Sequence, residues 1–255
     1  MMSSISFREY GEGLPVILIH GFPMDQNIWN DFVPALSSKF KVYTIDLPGF
    51  GESKAPSSFS MQAVAGLVLD WIAKTKISSP VVIGHSLGGY VTLAMVQQAP
   101  ERFSGFGLFH STALADTTEK KQSRDKVVEF VEKNGAPAFT SNFIPPLFAN
   151  KDHVAIQLVK DISKVATSEA VIGYTLGMRD RMDTTSVFTS YDKPVLFILG
   201  KEDPGIPVES VAKQIELCKH PDVHILDGVG HMGMFEASQT TADIVSVFSE
   251  KALGM

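Results

Sequence analysis

Short apolar runs alternate with amphipathic stretches along most of this 255-residue chain. The runs are rich in β-branched residues and too continuous for half-exposed strands, so they predict strands buried on both faces. The stretches between them repeat their apolar residues at helical spacing. This alternation predicts an α/β fold with a mostly parallel, doubly wound sheet covered by helices on both faces. The runs are Val16–Ile19, Lys41–Asp46, Pro80–Gly84, Phe106–His110, Pro194–Gly200 and Asp222–Asp227.

The amphipathic stretches predict five helices between and after these strands. One further segment, Ile5–Tyr10, precedes a Gly-Glu-Gly turn and predicts an antiparallel edge strand. The predicted helices cover about Ile28–Ser38, Ser60–Lys74, Tyr90–Gln98, Val208–Leu217 and Ala237–Lys251.

One long interval interrupts the alternation with helical patterning and no convincing core strand. We therefore predict a core of residues 1–112 and 192–255, with residues 113–191 as an insertion. The charged part of the insertion, Asp116–Gly135, favours a solvated helix face. Its apolar part, Phe139–Ala149, either lines a pocket or packs the insertion onto the core, and the sequence leaves both readings open.

The composition disfavours several kinds of partner and of structural cross-link. A net charge of −6 disfavours nucleic acid as a partner. With Cys218 as the single cysteine and no Cys/His cluster at metal spacing, neither a disulfide nor a structural zinc ion is expected. The N-terminal segment lacks a basic part followed by an apolar run, and no apolar stretch approaches the ~20 residues of a membrane span. We therefore expect a cytoplasmic protein without a membrane span.

The first candidate for chemistry is Ser86, at the turn where the strand Pro80–Gly84 leads into a helix. Gly84 and Gly88 stand two residues to either side, where a Cβ atom would clash if the chain folded back tightly. Such a turn strains the serine backbone and lifts its hydroxyl out of the sheet. The amides that open the following helix favour a negatively charged oxygen. These features predict a nucleophile.

A serine nucleophile needs a base within reach and a third group that orients the base. Among seven histidines, His231 follows the last predicted strand through a flexible loop and can reach over the sheet edge toward Ser86. His20 lies in a tight turn that we expect it to brace, and His110 ends a strand and is expected to line the pocket. His231 is therefore the predicted base.

Two aspartates are candidates for the orienting acid. Asp203 directly follows the buried strand Pro194–Gly200, where the loops of an open parallel sheet converge. An aspartate before proline is also common in ordinary turns, but the position after a buried strand favours the catalytic role for Asp203. Asp116, which follows the strand Phe106–His110, is the alternative acid.

Acyl transfer also requires two amides aimed at the oxygen that becomes charged. Phe22 follows the strand Val16–Ile19 in the sequence His-Gly-Phe-Pro, and Leu87 follows the predicted nucleophile. We predict that the backbone N–H groups of Phe22 and Leu87 form an oxyanion hole.

Together and in this order, these motifs resemble the α/β-hydrolase superfamily, specifically its small cap-bearing, esterase-like members. The resemblance covers nearly the whole chain, and Ser86, Asp203 and His231 match the order serine, acid, histidine expected of that fold. It implies that residues 113–191 form a helical cap that sets substrate choice. The matching segments are His20–Pro23, Asp46–Ser53, Gly84–Gly89, Gly200–Asp203 and Gly230–His231.

The predicted activity is hydrolysis of small-molecule carboxylic esters through an acyl-enzyme, without a cofactor or a metal ion. The apolar cluster in the insertion predicts an acyl pocket without a fixed cation, suited to small to medium uncharged acyl groups. Lactonases, carbon–carbon bond hydrolases and perhydrolases share the serine triad and stay open as alternatives, as does a ligand-binding receptor on the same fold. The oligomeric state is also left open. The predicted pocket residues are Phe143, Leu147, Phe148 and His110.

Overall fold

The computed structural model describes residues 5–255 and contains one sheet, whose strands are β1 (Phe7–Tyr10), β2 (Pro15–Ile19), β3 (Lys41–Ile45), β4 (Val81–His85), β5 (Gly105–Phe109), β6 (Val195–Gly200) and β7 (Pro221–Leu226). Their order across the sheet is β1-β3-β2-β4-β5-β6-β7. β1 is antiparallel to β3, and the other neighbouring pairs are parallel. The predicted α/β sheet with an antiparallel edge strand is confirmed. Residues 1–4, which fall within the N-terminal segment predicted to lack a leader, lie outside the described residues.

The central strands are buried on both faces because their side chains enter two separate apolar cores. Ile17 and Val82 pack into one core, whereas their chain neighbours Leu18 and Ile83 pack into the other. Every residue of β4, β5 and β6 is buried. This double burial explains why the strands appear in the sequence as continuous apolar runs.

The helices of residues 5–255 lie between and after the strands, and none of them is long and apolar enough to cross a membrane. Short 3₁₀-helices occur at Gln26–Trp29, Pro100–Arg102 and Pro145–Leu147. The α-helices are α1 (Val33–Ser37), α2 (Met61–Lys74), α3 (Leu87–Gln98), α4 (Thr118–Asn134), α5 (Ala136–Phe143), α6 (Ala155–Ser163), α7 (Ser168–Arg179), α8 (Ser186–Ser190), α9 (Val208–Leu217), α10 (Gly233–Glu236) and α11 (Ser238–Leu253).

The first helical region differs from the prediction. Instead of one helix over Ile28–Ser38, the 3₁₀-helix Gln26–Trp29 is followed by the short helix α1. Pro34 lies in the first turn of α1, the part of a helix where a missing amide hydrogen is tolerated. A continuous helix through this position would lose a backbone hydrogen bond, so the chain forms two short helices.

Helices α4 to α8 occupy the interval between β5 and β6, where the described chain contains no strand. α4 packs against α7 within this insertion. The helical character of the insertion therefore agrees with the sequence pattern. The division into a core and a cap domain at residues 113–191 stays a prediction.

The strand order creates a topological switch point between β2 and β4. From β2 the chain continues to β3 on one side, and from β4 it continues to β5 on the other. Open α/β sheets bind ligands at such a point, beyond the carboxyl ends of the strands. The loop after β2 carries Phe22 and the turn after β4 carries Ser86, so both lie at this edge.

Candidate active site

Ser86 forms the sharp turn between β4 and α3. Its backbone has φ 50° and ψ −112°, a conformation that strains a residue with a side chain. A Cβ atom on Gly84 would clash with the backbone of Gly88, so the close approach requires glycine. The amide of Ser86 donates to the carbonyl of Phe109 at 2.9 Å, and the hydroxyl of Ser111 donates to the carbonyl of Ser86 at 2.8 Å. The turn is therefore fixed to β5 and to the segment that follows it.

The side chain of Ser86 stands at the amino-terminal end of α3 without capping the helix. Its hydroxyl has no hydrogen-bond partner among residues 5–255. Ser86 and His231 line the same cavity, which has a volume of about 470 Å³. A hydrogen bond between a nucleophile and its base commonly tightens only when substrate binds. The hydroxyl thus faces the cavity in the positive field of the helix end.

His231 and Asp203 form a buried pair at the carboxyl edge of the sheet. Nδ1 of His231 lies 2.7 Å from Oδ2 of Asp203. Oδ1 of the carboxylate accepts hydrogen bonds from the amides of Gly205 and Ile206 at 2.8 and 3.0 Å. Burial alone would raise the pKa of Asp203, but the charge and hydrogen bond of His231 outweigh burial and lower the pKa to about 2. The ionised carboxylate holds Nδ1 of His231 protonated, which leaves Nε2 as the basic nitrogen.

The loop that carries His231 is held from three sides. Nε2 of His85 donates to the carbonyl of His231 at 2.8 Å, and the amide of His231 donates to the carbonyl of Leu147 at 2.7 Å. Burial lowers the pKa of His85 well below its ordinary value, so this ring is neutral. The carboxylate of Glu236 accepts hydrogen bonds from the amides that flank His231 on either side. Sequence reasoning missed Glu236, because one acidic residue before a terminal helix forms no motif.

Two other predicted candidates have different surroundings, although Nδ1 of His110 lies 3.6 Å from Oδ2 of Asp203. The buried carboxylate of Asp116 forms ion pairs with Arg124 and Arg181, and within residues 5–255 it has no hydrogen bond or ion pair with a histidine. His110 is fully buried, and its Nε2 accepts a hydrogen bond from the amide of Gly233 at 3.2 Å. Burial lowers the pKa of His110 to about 3. The expectation that His110 lines the pocket is wrong, because its ring is turned into the core to bind the start of α10.

The amides of Phe22 and Leu87 are brought to the switch point by two glycines. A Cβ atom on Gly21 would clash with the ring of His85, and one on Gly88 would clash with carbonyl groups at the end of β2. The loop after β2 therefore packs directly on the turn that carries the serine. Within residues 5–255 neither the Phe22 amide nor the Leu87 amide has a hydrogen-bond partner. Both N–H groups are free to bind an oxygen.

His20 and Asp46, from two further sequence motifs, hold the loops around the site in place through hydrogen bonds. Nε2 of His20 accepts a hydrogen bond from the amide of Leu47 at 2.9 Å. The buried carboxylate of Asp46 accepts from the amides of Gln26 and Glu52 at 2.9 and 3.0 Å. These contacts connect the loops after β2 and β3, so their side chains support the site without lining the cavity.

The aromatic segment of the insertion contributes to the cavity only in part. Phe143 and Leu147 line it. Phe148 does not, because its ring is fully buried in the core and stacks on His153 with the ring centroids 5.2 Å apart. The expectation that Phe148 is a pocket residue is therefore wrong.

Two cationic side chains of α4, Lys120 and Arg124, also line the cavity. The cavity as a whole therefore contains fixed cations, and the expectation that its acyl side has none stays a prediction. Val131 is the buried residue of this 17-residue helix, which explains why the charged segment Asp116–Gly135 appears in the sequence as a solvated face. Part of that face nevertheless borders the cavity, because Lys120, Arg124 and Val127 of α4 are among its lining residues.

Comparisons with known proteins agree with this architecture. The sequence model described as the alpha/beta hydrolase family matches residues 16–244. The dihydrolipoyllysine-residue acetyltransferase component of the acetoin cleaving system of Pseudomonas putida is 30% identical over 96% of this chain, and the chain spans 66% of that relative's length. A pimeloyl-[acyl-carrier protein] methyl ester esterase of Vibrio campbellii is 24% identical over 82% of this chain and 84% of the relative. A solved thermophilic esterase from Thermogutta terrifontis is 28% identical, with a TM-score of 0.91 over 97% of this chain and 93% of that one.

Proposed function

This chain belongs to the α/β hydrolase family, and on that premise we propose that it cleaves carboxylic esters through an acyl-enzyme formed on Ser86. The observation that carries the proposal is the buried pair of Asp203 and His231, whose imidazole borders the same cavity as the strained serine. The esterases among the similar proteins support the same class of reaction.

In the proposed acylation, Nε2 of His231 takes the hydroxyl proton of Ser86 as the serine oxygen attacks the ester carbonyl carbon. The amides of Phe22 and Leu87 donate to the oxyanion that forms. The imidazolium, stabilised by Asp203, then gives its proton to the departing alcohol as the carbon–oxygen bond breaks. Water attacks the acyl-enzyme with His231 again as the base, which releases the carboxylic acid and restores Ser86. No step uses a cofactor.

We assign the acyl pocket to the aromatic part of the insertion and treat residues 113–191 as a cap over the site. The ring of Phe143 packs on Phe22 with the centroids 5.8 Å apart, next to one of the proposed oxyanion donors. An apolar surface at this place favours uncharged acyl groups, and each buried methylene stabilises binding by up to about 0.8 kcal/mol until the pocket is full. Small to medium acyl groups fit a cavity of about 470 Å³.

Replacing Phe143 with alanine is expected to move the preferred acyl chain to greater length, because removal of the ring leaves room in the pocket. The measurement is kcat/KM across p-nitrophenyl esters of graded acyl length. Phe148→Ala is the matched control, since it removes the same ring from a position outside the cavity. We expect Phe148→Ala to lower the free energy of unfolding by roughly 3–5 kcal/mol without moving the optimum. Identical profiles for wild type and Phe143→Ala would mean that Phe143 only packs the insertion onto the core.

The proposed function is tested with the same ester series, with and without prior treatment by a serine-directed phosphonate. We expect the untreated protein to hydrolyse the esters of short and medium acyl length. Turnover should fall in proportion to the amount of phosphonate bound. A protein that hydrolyses none of these esters, or that keeps full turnover after stoichiometric phosphonate binding, would not be the serine esterase proposed.

A further inference from the structure

The cavity lining contains an aromatic pair and a cationic pair of side chains. Phe22 and Phe143 form the first, and Lys120 and Arg124 form the second, one helical turn apart on α4. Like charges at this spacing weaken a helix, so helix stability does not account for the pair. A cationic pair in the same cavity as the proposed nucleophile Ser86 instead indicates a site for an anion.

Both cations have hydrogen-bond donors left over. The ammonium of Lys120 donates to the carbonyl of Gly205 at 2.9 Å, and among residues 5–255 no carboxylate lies within 4 Å of it. The guanidinium of Arg124 donates through Nε to Asp116, and its Nη groups have no partner in the described part of the chain. Because an ammonium has three donors and a guanidinium five, several N–H groups remain for a ligand.

The nearby carboxylates are already committed to other partners. Asp116 is shared by Arg124 and Arg181, and Asp203 belongs to the buried pair with the base. Together with Lys120, these two arginines and two carboxylates carry a net charge of one positive unit. Desolvation, followed by the two arginines, lowers the pKa of Lys120 against the pull of the carboxylates. One monoanionic carboxylate would neutralise the excess.

Lys120 of the cationic pair is connected through hydrogen bonds to the histidine that is the proposed acid for the departing alcohol. Gly205, which accepts the Lys120 hydrogen bond, donates its own amide to Asp203 at 2.8 Å, and Asp203 holds His231. Since His231 protonates the departing alcohol, the alcohol part of an ester begins beside this residue. The acyl part is then assigned to the aromatic pair, which contains the proposed oxyanion donor Phe22.

We propose that Lys120 and Arg124 bind a carboxylate on the alcohol part of the ester substrate. The inference rests on the proposed function, because it takes the direction of the ester from the roles of Ser86 and His231. A guanidinium binds a carboxylate through two parallel hydrogen bonds, and the ammonium adds a second positive charge. The substrate class is therefore an ester with an uncharged acyl group and a carboxylate-bearing alcohol.

The experiment compares butyrate esters of 4-hydroxybenzoate and 4-hydroxybenzamide, which share the acyl group and the ring and differ by one charge. We expect wild type to have the higher kcat/KM for the carboxylate ester. Lys120→Met and Arg124→Gln should each lower the ratio of the two kcat/KM values about 10- to 100-fold, the range for hydrogen bonds to charged groups. Lys121→Met, which removes the same charge from a neighbouring exposed position outside the cavity, should keep the wild-type ratio.

A second pair of substrates carries the carboxylate on the acyl side instead. It compares the p-nitrophenyl monoester of succinate, which has this carboxylate, with p-nitrophenyl butyrate, which does not. We expect this ratio to be unchanged in Lys120→Met, and a fall in it would overturn the assignment to the alcohol side. If Lys120→Met and Arg124→Gln both keep the wild-type ratio of kcat/KM for the 4-hydroxybenzoate and 4-hydroxybenzamide esters, the inference is overturned. The proposed function would still stand in that case, provided that the uncharged ester is hydrolysed. If wild type hydrolyses neither ester, both the proposed function and the inference fail.

Discussion

Replacing Ser86 with alanine is expected to abolish ester turnover while leaving the protein folded. The hydroxyl is the proposed nucleophile, and its loss removes the acyl-enzyme route, with an expected fall in kcat on the order of 10⁶. The side chain neither caps α3 nor has a hydrogen-bond partner among residues 5–255, so its oxygen does not stabilise the fold. The measurement pairs ester hydrolysis with thermal unfolding.

Ser141→Ala is the matched control for this substitution, because Ser141 is an exposed serine of α5 that does not line the cavity. We expect its turnover and its Tm to equal those of wild type. Retention of turnover in Ser86→Ala would remove the serine from the mechanism. A large fall in the Tm of Ser86→Ala would instead show that this variant loses activity because it unfolds.

Replacing Asp203 with asparagine is expected to lower kcat by about 10³- to 10⁴-fold. An amide cannot stabilise the imidazolium of His231 and allows the ring to take the wrong tautomer. The amide oxygen of asparagine can still accept the hydrogen bonds from Gly205 and Ile206, so the loop geometry is expected to survive. Steady-state kinetics on one good ester, with circular dichroism as the check on folding, measures the effect.

Asp116→Asn provides the comparison, because Asp116 is the alternative orienting acid that the sequence offers. Its carboxylate lies between Arg124 and Arg181 and away from His231, so we expect a much smaller fall in kcat. Loss of a buried partner for Arg181 should lower the free energy of unfolding by roughly 3–5 kcal/mol. A larger catalytic loss in Asp116→Asn than in Asp203→Asn would move the orienting role to Asp116.

The sheet and the arrangement around the serine could be predicted because they depend on local sequence features. Doubly buried strands leave continuous apolar runs, and the tight turn at Ser86 requires glycine at fixed spacing. Asp203 and His231 follow neighbouring parallel strands, so the topology brings both to the same edge of the sheet. Their hydrogen bond is a direct consequence of strand order.

The pocket could not be predicted to the same degree, because it depends on how the insertion packs. Phe143 and Phe148 belong to one apolar segment, yet only the first lines the cavity, since the second stacks on His153 in the core. The sequence indicates that α4 is helical and rich in charged residues, but it does not indicate that Lys120 and Arg124 line the cavity. Such details are set by contacts between elements that are distant in the sequence.

The most direct test of the central claim is intact-protein mass spectrometry after reaction with a serine-directed phosphonate, followed by mapping of the modified peptide. We predict one adduct per chain, located on Ser86, that forms in step with the loss of ester turnover. The adduct should be absent from Ser86→Ala and should form much more slowly in Asp203→Asn, where the base has lost its partner. An adduct on another residue, or full loss of turnover with Ser86 unmodified, would contradict the assignment of Ser86 as the nucleophile.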